Sequence, residues 1–266
     1  MEKNPIGIID MNINNISILN RLVKDYKYEN FIYIADKEFN DYEVLPEDKI
    51  RARVKTNLAY LLDCKVKLIV VVSNTIVEYC KDMFDDIKVP VINIVDTIVN
   101  YINSNYEHKN MLLLASENII KANIYQKNFR YNHLYNISCN KMDDIILEGK
   151  QKTSKSFTVA KELFKSLTKK DVDIIIPTHV NLVEMKTEVF EFVKEADLLY
   201  IQDLLSEKIK AALLTIENIY NKGKGIVELN INPELHKSYK NVINIKHFLK
   251  GKEKKLKGIK SWKKEN

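Results

Sequence analysis

Short continuous runs of isoleucine, valine and leucine recur along this chain, separated by longer stretches, such as 47–63 and 204–221, with apolar residues at helical spacing. Continuous rather than alternating apolar runs are typical of strands buried on both faces of a sheet. A strand–helix order without hairpin signals predicts parallel sheets covered by helices. We expect strands at residues 6–10, 31–36, 67–72, 89–94, 110–116, 135–139, 173–177, 198–202, 226–231 and 242–246.

The two halves of the chain look duplicated. Asp10 and Ser116 end corresponding strands 106 residues apart, and Ser73 and Pro177 stand 104 residues apart. This near-constant offset predicts an α/β fold of two similar domains with mainly parallel sheets and a cleft between them. The predicted boundaries are residues 1–95 with 206–248 for the first domain, 96–205 for the second and 249–266 for a basic tail.

Composition argues against several classes of protein. Cys64, Cys80 and Cys139 have unrelated spacings that suggest neither a disulfide framework nor a zinc pattern, so we expect a reducing cytoplasm and no metal. No apolar run approaches the roughly 18 residues of a membrane helix, so we expect no membrane span. No basic segment precedes the first strand, and we expect no signal peptide.

The net charge of +6 lies in the last 17 residues, which hold eight lysines and two glutamates. The remainder has 34 residues of each sign and is neutral. A solvated terminus is one interpretation of this tail. Binding of nucleic acid or a membrane surface is the other, because Leu256, Ile259 and Trp262 recur every three residues.

Polar residues follow two of the apolar runs directly, as Ser73-Asn74-Thr75 and as Thr178-His179 after Pro177. Ligands of open parallel sheets bind beyond the carboxyl ends of the strands. With two such sheets facing each other, these ends would flank one central cleft. That arrangement suits chemistry on opposite faces of a small molecule.

Six segments carry a resemblance to a known family: PIGIIDMNINNISIL at 5–19, YIADKEFNDYE at 33–43, VVSNT at 71–75, ASENIIKANIYQK at 115–127, SCNKMDDIILEG at 138–149 and PTHVNLV at 177–183. In this order they resemble the motifs of glutamate racemase, a member of the aspartate/glutamate racemase superfamily. The resemblance runs from residue 5 to about 248. It implies a PLP-independent isomerase without a cofactor, which interconverts L- and D-glutamate for the peptidoglycan of the cell wall.

Racemisation in that family uses two cysteine thiols, one on each face of the substrate. The corresponding positions here are Ser73 and Pro177. A serine hydroxyl is a far weaker acid than a thiol, and proline has no side-chain proton to transfer. None of the three cysteines falls at these positions. The resemblance therefore implies a degenerate site, and a pseudoenzyme with respect to the two-thiol route.

The resemblance also implies roles for other residues. Asp10 and His179 match acid/base positions, while helix capping is the structural alternative for polar residues at strand ends. Asn12, Asn14 and Asn15 replace family glycines, and we expect them to keep a left-handed turn. The remaining matches are Asn74, Thr75, Thr178, Tyr42 and Met11 as substrate-binding residues, and Asp36 and Glu148 as supporting residues.

Three functions remain open from the sequence. The first is a racemase-like protein, without two-thiol racemisation, that binds a small carboxylate or amino acid. The second is a diverged enzyme acting on such an acid through Asp10 and His179, with Ser73 assisting. The third is a binding or regulatory protein, since some racemases of the family bind DNA gyrase and the basic tail would suit gyrase or nucleic acid. The resemblance further implies a homodimer.

Overall fold

The computed structural model describes residues 4–35, 45–231 and 242–243. Within them lie nine α-helices and nine strands, and the strands form two parallel sheets. The strands are β1 Ile6–Ile9, β2 Phe31–Ile34, β3 Leu68–Val71, β4 Val91–Asn93, β5 Lys109–Ala115, β6 Tyr131–Ser138, β7 Ile174–Pro177, β8 Asp197–Leu198 and β9 Val227–Asn230. The helices are α1 Ile18–Asp25, α2 Glu47–Asp63, α3 Asn74–Cys80, α4 Ile94–Asn105, α5 Glu117–Ala122, α6 Asn140–Leu147, α7 Ser154–Phe164, α8 Lys186–Phe190 and α9 Ile201–Thr215.

The first sheet has the strand order β4-β3-β1-β2-β9, and every neighbouring pair is parallel. All residues of β1, β2 and β3 are buried, which explains why these central strands are continuous apolar runs. Ile9 stands level with Ile34 and Val71, so the residues that follow these three strands emerge at one edge.

The second sheet has the order β6-β5-β7-β8 and is also parallel throughout. Both β6 and β7 pair with β5, so their carboxyl ends flank the end of β5. Cys139 N donates to Ala115 O at 2.9 Å, and Thr178 N donates to Leu114 O at 2.8 Å. The residues just after β6 and β7 therefore lie on either side of one strand.

Helix α2 shows how the sequence pattern builds a covering element. It begins directly after Pro46, and Glu47 and Asp48 in its first turn complement the helix dipole. Its buried residues recur at three- and four-residue spacing: Ile50, Val54, Leu58 and Leu61. This stripe packs α2 onto the first sheet, where Leu61 closes over Gly7 of β1.

A buried ion pair holds the returning segment after α9 against the first sheet. Lys67 Nζ lies 2.7 Å from Glu29 Oε2 and 3.9 Å from the ring centroid of Tyr220, whose backbone N–H donates to Glu29 Oε1 at 2.7 Å. A Cβ on Gly225 would lie 2.3 Å from Glu29 O, so only glycine fits there. The chain thereby reaches β9, which pairs with β2.

The α/β fold with two mainly parallel sheets is confirmed. Two strand predictions need correction: β6 begins earlier, at Tyr131, and residues 201–202 open α9 instead of ending a strand. β6 is an edge strand with many exposed polar residues, so its first half lacks the apolar signal that marks the central strands. The numerical domain boundaries stay a prediction.

Some predictions fall wholly or partly outside the described residues. The basic tail 249–266 lies there, and so do residues 244–246 of the last predicted strand, while Val242 and Ile243 are not in a strand. Within the part of the chain that the structure describes, no helix combines the length and apolar character needed to cross a membrane.

Candidate functional site

The carboxyl ends of β3 and β7 meet at the junction of the two sheets. Asn74 Nδ2 donates to Thr178 O at 3.0 Å, and Asn74 Oδ1 accepts from the buried Tyr125 hydroxyl at 2.6 Å. Ser73 immediately precedes Asn74, and Pro177 immediately precedes Thr178, so the two degenerate positions flank one junction. We refer to this place as the junction site.

The loop after β1 is organised around Asp10, which is 1% exposed. Its carboxylate accepts from Met11 N at 2.8 Å, Tyr33 Oη at 2.6 Å and Asn15 Nδ2 at 3.2 Å. Burial raises the pKa of Asp10 above its ordinary value, and the three donors oppose this shift without reversing it. Burial also raises the pKa of Tyr33 well above its usual range, so that the phenol stays a donor.

Side-chain amides connect this loop to the segment after β7. Asn15 Oδ1 accepts from Val180 N at 2.8 Å, while Asn181 Oδ1 accepts from Ser17 N at 3.0 Å. The chain turns here as expected, but the expected left-handed backbone is wrong, because Asn12, Asn14 and Asn15 are not among the residues with positive φ. Here asparagine supplies hydrogen bonds that glycine lacks, such as Asn12 Oδ1 accepting from Asn14 N at 2.8 Å.

The other predicted residues after β1, β3 and β7 mostly have structural roles or are buried. Ser73 Oγ accepts from Ile76 N at 3.3 Å and is the N-cap of α3, which is the structural alternative considered for it. Thr75 is half-buried in the first turn of α3, and Met11 is buried. Thr178 is fully buried, and its hydroxyl has no hydrogen-bond partner among the described residues.

A second group of side chains lies beside β5, formed by Cys139, Asp143 and His179 and called here the trio. His179 Nδ1 lies 2.8 Å from Asp143 Oδ2. Cys139 Sγ lies 3.6 Å from each of these two atoms. All three residues are buried, and Asp143 Oδ1 has no hydrogen-bond partner in the described part of the chain.

Topology explains how the trio forms. Cys139 follows β6 and His179 lies two residues after β7, so both stand at the carboxyl edge on either side of β5. Helix α6 then places Asp143 one turn after Cys139 on the same buried face. The short 3-10 helix Val180–Met185 packs against α6 and fixes His179 in place.

Comparisons with known proteins agree with this architecture. No family model matches the chain. A glutamate racemase of Thermoanaerobacter pseudethanolicus is 25% identical over 186 residues, which are 66% of this chain and 67% of that protein. The structure of glutamate racemase from Thermus thermophilus in complex with β-chloro-D-alanine superposes with a TM-score of 0.80 at 20% identity, covering 93% of this chain and 96% of that one.

The glutamate racemase of Francisella tularensis in complex with D-glutamate is also similar, with a TM-score of 0.78, 19% identity and coverage of 91% of this chain and 93% of that chain. The chain is a glutamate-racemase-like protein. Its relatives and structural neighbours confirm the recognition made from six degraded motifs. The roles that the resemblance implies for single residues stay predictions.

Within this racemase-like protein, the predicted site residues divide into three groups. Asn74 and Thr178 meet at the junction site, Asp10 lies in the loop after β1 that Asn15 connects to Val180, and His179 belongs to the trio. Glu148 instead lies exposed at the end of α6, where Lys150 at 2.8 Å and Lys155 at 2.6 Å lower its pKa to about 2. The predicted residues Asp36 and Tyr42 fall outside the described residues.

Sequence reasoning missed Cys139 and Asp143. Both lie in the segment SCNKMDDIILEG, and their four-residue spacing directly after a strand was the available signal. Cys139 stands outside the two thiol positions of the family motifs, and the strand order brings it beside His179. That order, with β6 and β7 both next to β5, cannot be read from the spacing of apolar runs.

The trio limits what this racemase-like protein can do chemically. In a nucleophilic triad, the nucleophile and the carboxylate occupy different nitrogens of the imidazole. Here Cys139 Sγ and Asp143 Oδ2 both approach Nδ1 of His179. The geometry therefore lacks a thiol–imidazole–carboxylate relay, while the His179–Asp143 pair retains the contact of an acid/base histidine with its orienting carboxylate.

Proposed function

We propose that this glutamate-racemase-like protein binds a small amino or carboxylic acid at its junction site and does not interconvert L- and D-glutamate by a two-thiol route. The observation that carries the proposal is the use of the two proton-transfer positions. Ser73 Oγ caps α3, and Pro177 is the last residue of β7. Neither side chain supplies a group that takes a proton from an α-carbon near neutral pH.

Two further points support binding of a small acid. The structural neighbours include complexes with β-chloro-D-alanine and with D-glutamate, so related cleft proteins hold amino acids. The junction site also holds the buried hydroxyl of Thr178, which has no hydrogen-bond partner among the described residues, and the amide of Asn74, which contacts the backbone oxygen of Thr178. In this protein Asn74 is engaged by Thr178 O and Tyr125, so we expect ligand binding to compete with those two hydrogen bonds.

The decisive experiment follows deuterium at the α-carbon. L- and D-glutamate, and both aspartates, are incubated with the protein in D₂O and monitored by proton NMR, while calorimetry measures binding. We expect binding without exchange above background. The matched control is the double variant Ser73→Cys/Pro177→Cys, which restores both thiols. Exchange by the unaltered protein that disappears in Asp10→Asn would contradict the proposed absence of racemisation. Failure of every tested acid to bind would contradict the proposed binding of a small acid.

A second candidate is a diverged enzyme that acts on a small carboxylic acid through His179, with Asp10 nearby. The 2.8 Å contact of His179 with Asp143 favours it, because a buried carboxylate orients an imidazole and stabilises its charged form. Turnover of small carboxylates by the unaltered protein and its loss in His179→Gln would support this candidate. Equal turnover by both proteins would exclude it.

Finer aspects of the biology stay proposals. Three cysteines that form no disulfide, two of them buried, support a reducing cytoplasm as the compartment. A role in peptidoglycan synthesis stays a prediction from the resemblance. A homodimer, and a gyrase or nucleic-acid partner of the basic tail, stay predictions from the resemblance.

A further inference from the structure

We propose that Cys139, Asp143 and His179 form a binding site for a divalent transition metal, with zinc as the preferred ion. The trio combines a thiol, a carboxylate and an imidazole, one from each class of zinc ligand in proteins. One ligand atom from each residue lies within 4.8 Å of the others, and all three residues are buried. This site is separate from the two thiol positions, and metal binding there does not require that the protein turn over a substrate.

The distances match the spacing of ligands around a tetrahedral ion. With Zn–S near 2.3 Å and Zn–N or Zn–O near 2.0 Å, a sulfur and a nitrogen or oxygen stand about 3.6 Å apart, and a nitrogen and an oxygen about 3.3 Å. Cys139 Sγ is 3.6 Å from both His179 Nδ1 and Asp143 Oδ2. Only the 2.8 Å separation of Nδ1 and Oδ2 must widen, by about half an ångström.

An unpartnered buried atom points independently to a cation. Asp143 Oδ1 lies inside the protein with no hydrogen-bond partner among the described residues. A buried carboxylate oxygen without a partner is costly, and a cation that Asp143 binds through both carboxylate oxygens supplies the missing interaction of Oδ1. Deprotonation of Cys139 on binding would give the trio two negative charges, which a divalent ion neutralises.

Convergence also distinguishes this geometry from a simple hydrogen-bonded pair. In a pair serving only to orient His179, the third group has no reason to face the same nitrogen. Here the thiol and the carboxylate both face Nδ1. Three protein ligands leave one tetrahedral position for water or for a carboxylate of a bound acid, as in open zinc sites.

The test uses the full chain, stripped with a chelator and titrated with Co²⁺ alone as a spectroscopic probe. We expect one Co²⁺ per chain, with the visible absorption of a tetrahedral ion and a thiolate-to-cobalt charge-transfer band, and displacement of the ion by Zn²⁺. Cys139→Ala should lose the charge-transfer band and bind more than about tenfold more weakly. His179→Gln should also bind more weakly.

The matched control is Cys80→Ala, which removes another buried thiol, one whose pKa burial raises to about 11. We expect this variant to bind Co²⁺ like the unaltered protein. Binding weaker than millimolar in the unaltered protein, or equal binding by Cys139→Ala, would overturn the proposal.

A second measurement avoids variants that fail to fold. Alkylation of the three cysteines in the unaltered protein is followed by mass spectrometry with Zn²⁺ or with chelator. Zinc should slow the modification of Cys139 while leaving Cys64 and Cys80 unchanged. The same modification rate of Cys139 under both conditions would contradict the site. Neither measurement involves glutamate, so its outcome is independent of the test of the proposed function.

Discussion

Two buried aspartates lie near the place where the two sheets meet, and their carboxylates differ in hydrogen bonding. Asp10 accepts hydrogen bonds from a backbone N–H, a phenol and an amide, which satisfy both of its oxygens. Asp143 has one oxygen against His179 and Cys139, and the other has no hydrogen-bond partner in the described part of the chain. Both residues are nearly inaccessible, at 1% and 6% exposure.

The difference separates a structural carboxylate from a chemical one. A fully satisfied buried carboxylate fixes the groups around it, and Asp10 thereby positions Asn15, which accepts a hydrogen bond from Val180 N in the 3-10 helix after β7. An incompletely satisfied carboxylate beside a thiol and an imidazole retains an oxygen that a cation can bind. The resemblance implied the acid/base role for Asp10, while the geometry favours Asp143 as the carboxylate available for chemistry.

The largest expected effect comes from removing each carboxylate in turn. Asp10→Ala leaves the donors of Met11, Tyr33 and Asn15 buried without an acceptor, so we expect the free energy of unfolding to fall by about 3 kcal/mol. Asp143→Ala removes the same atoms but also removes a buried unpartnered oxygen, so we expect a loss of only about 1 kcal/mol. Urea denaturation of the chelator-treated proteins measures both values.

The presence of Zn²⁺ should change the relative stability of these two variants. Saturating Zn²⁺ should stabilise the unaltered protein and Asp10→Ala but not Asp143→Ala, because a ligand that binds only the folded state adds to its stability. The free energies of unfolding of the two variants should therefore lie closer together in the presence of zinc. Equal costs of the two substitutions without metal would break the distinction between the two aspartates.

How far the sequence predicts this molecule depends on the kind of contact. Continuous apolar runs predicted β1, β2 and β3, because strands covered on both faces need such residues. The junction of Asn74 with Thr178 followed from strand ends facing a shared cleft. Cys139 and His179, 40 residues apart, meet only because β5 lies between their strands, and the order of strands is a property of the packed sheet.

A smaller effect is expected from the pH dependence of stability. Because burial raises the pKa of Asp10, the folded state keeps its proton to higher pH than the unfolded state. The contribution of Asp10 to stability therefore falls as pH rises from the ordinary aspartate value of 3.8 through the raised value, and is constant above it. The free energy of unfolding of the unaltered protein minus that of Asp10→Asn, measured by urea denaturation across this range, should decline with pH. An increase would mean that the three donors outweigh burial.

The smallest expected effect is that of Glu148→Gln, and it tests which acidic side chain of α6 serves His179. Glu148 is exposed, and Lys150 and Lys155 lower its pKa to about 2, so it stays ionised at neutral pH and its pairing is lost only near pH 2. We expect Glu148→Gln to leave the melting temperature at pH 7 and Co²⁺ affinity unchanged, because exposed ion pairs contribute little. Asp143→Asn, the matched amide substitution five residues earlier on the buried face, should weaken Co²⁺ binding more than about tenfold. Similar losses of Co²⁺ affinity in the two variants would mean that Glu148 also contributes to the metal site. Asp143 would then not be distinguished from Glu148 as the carboxylate that acts with His179.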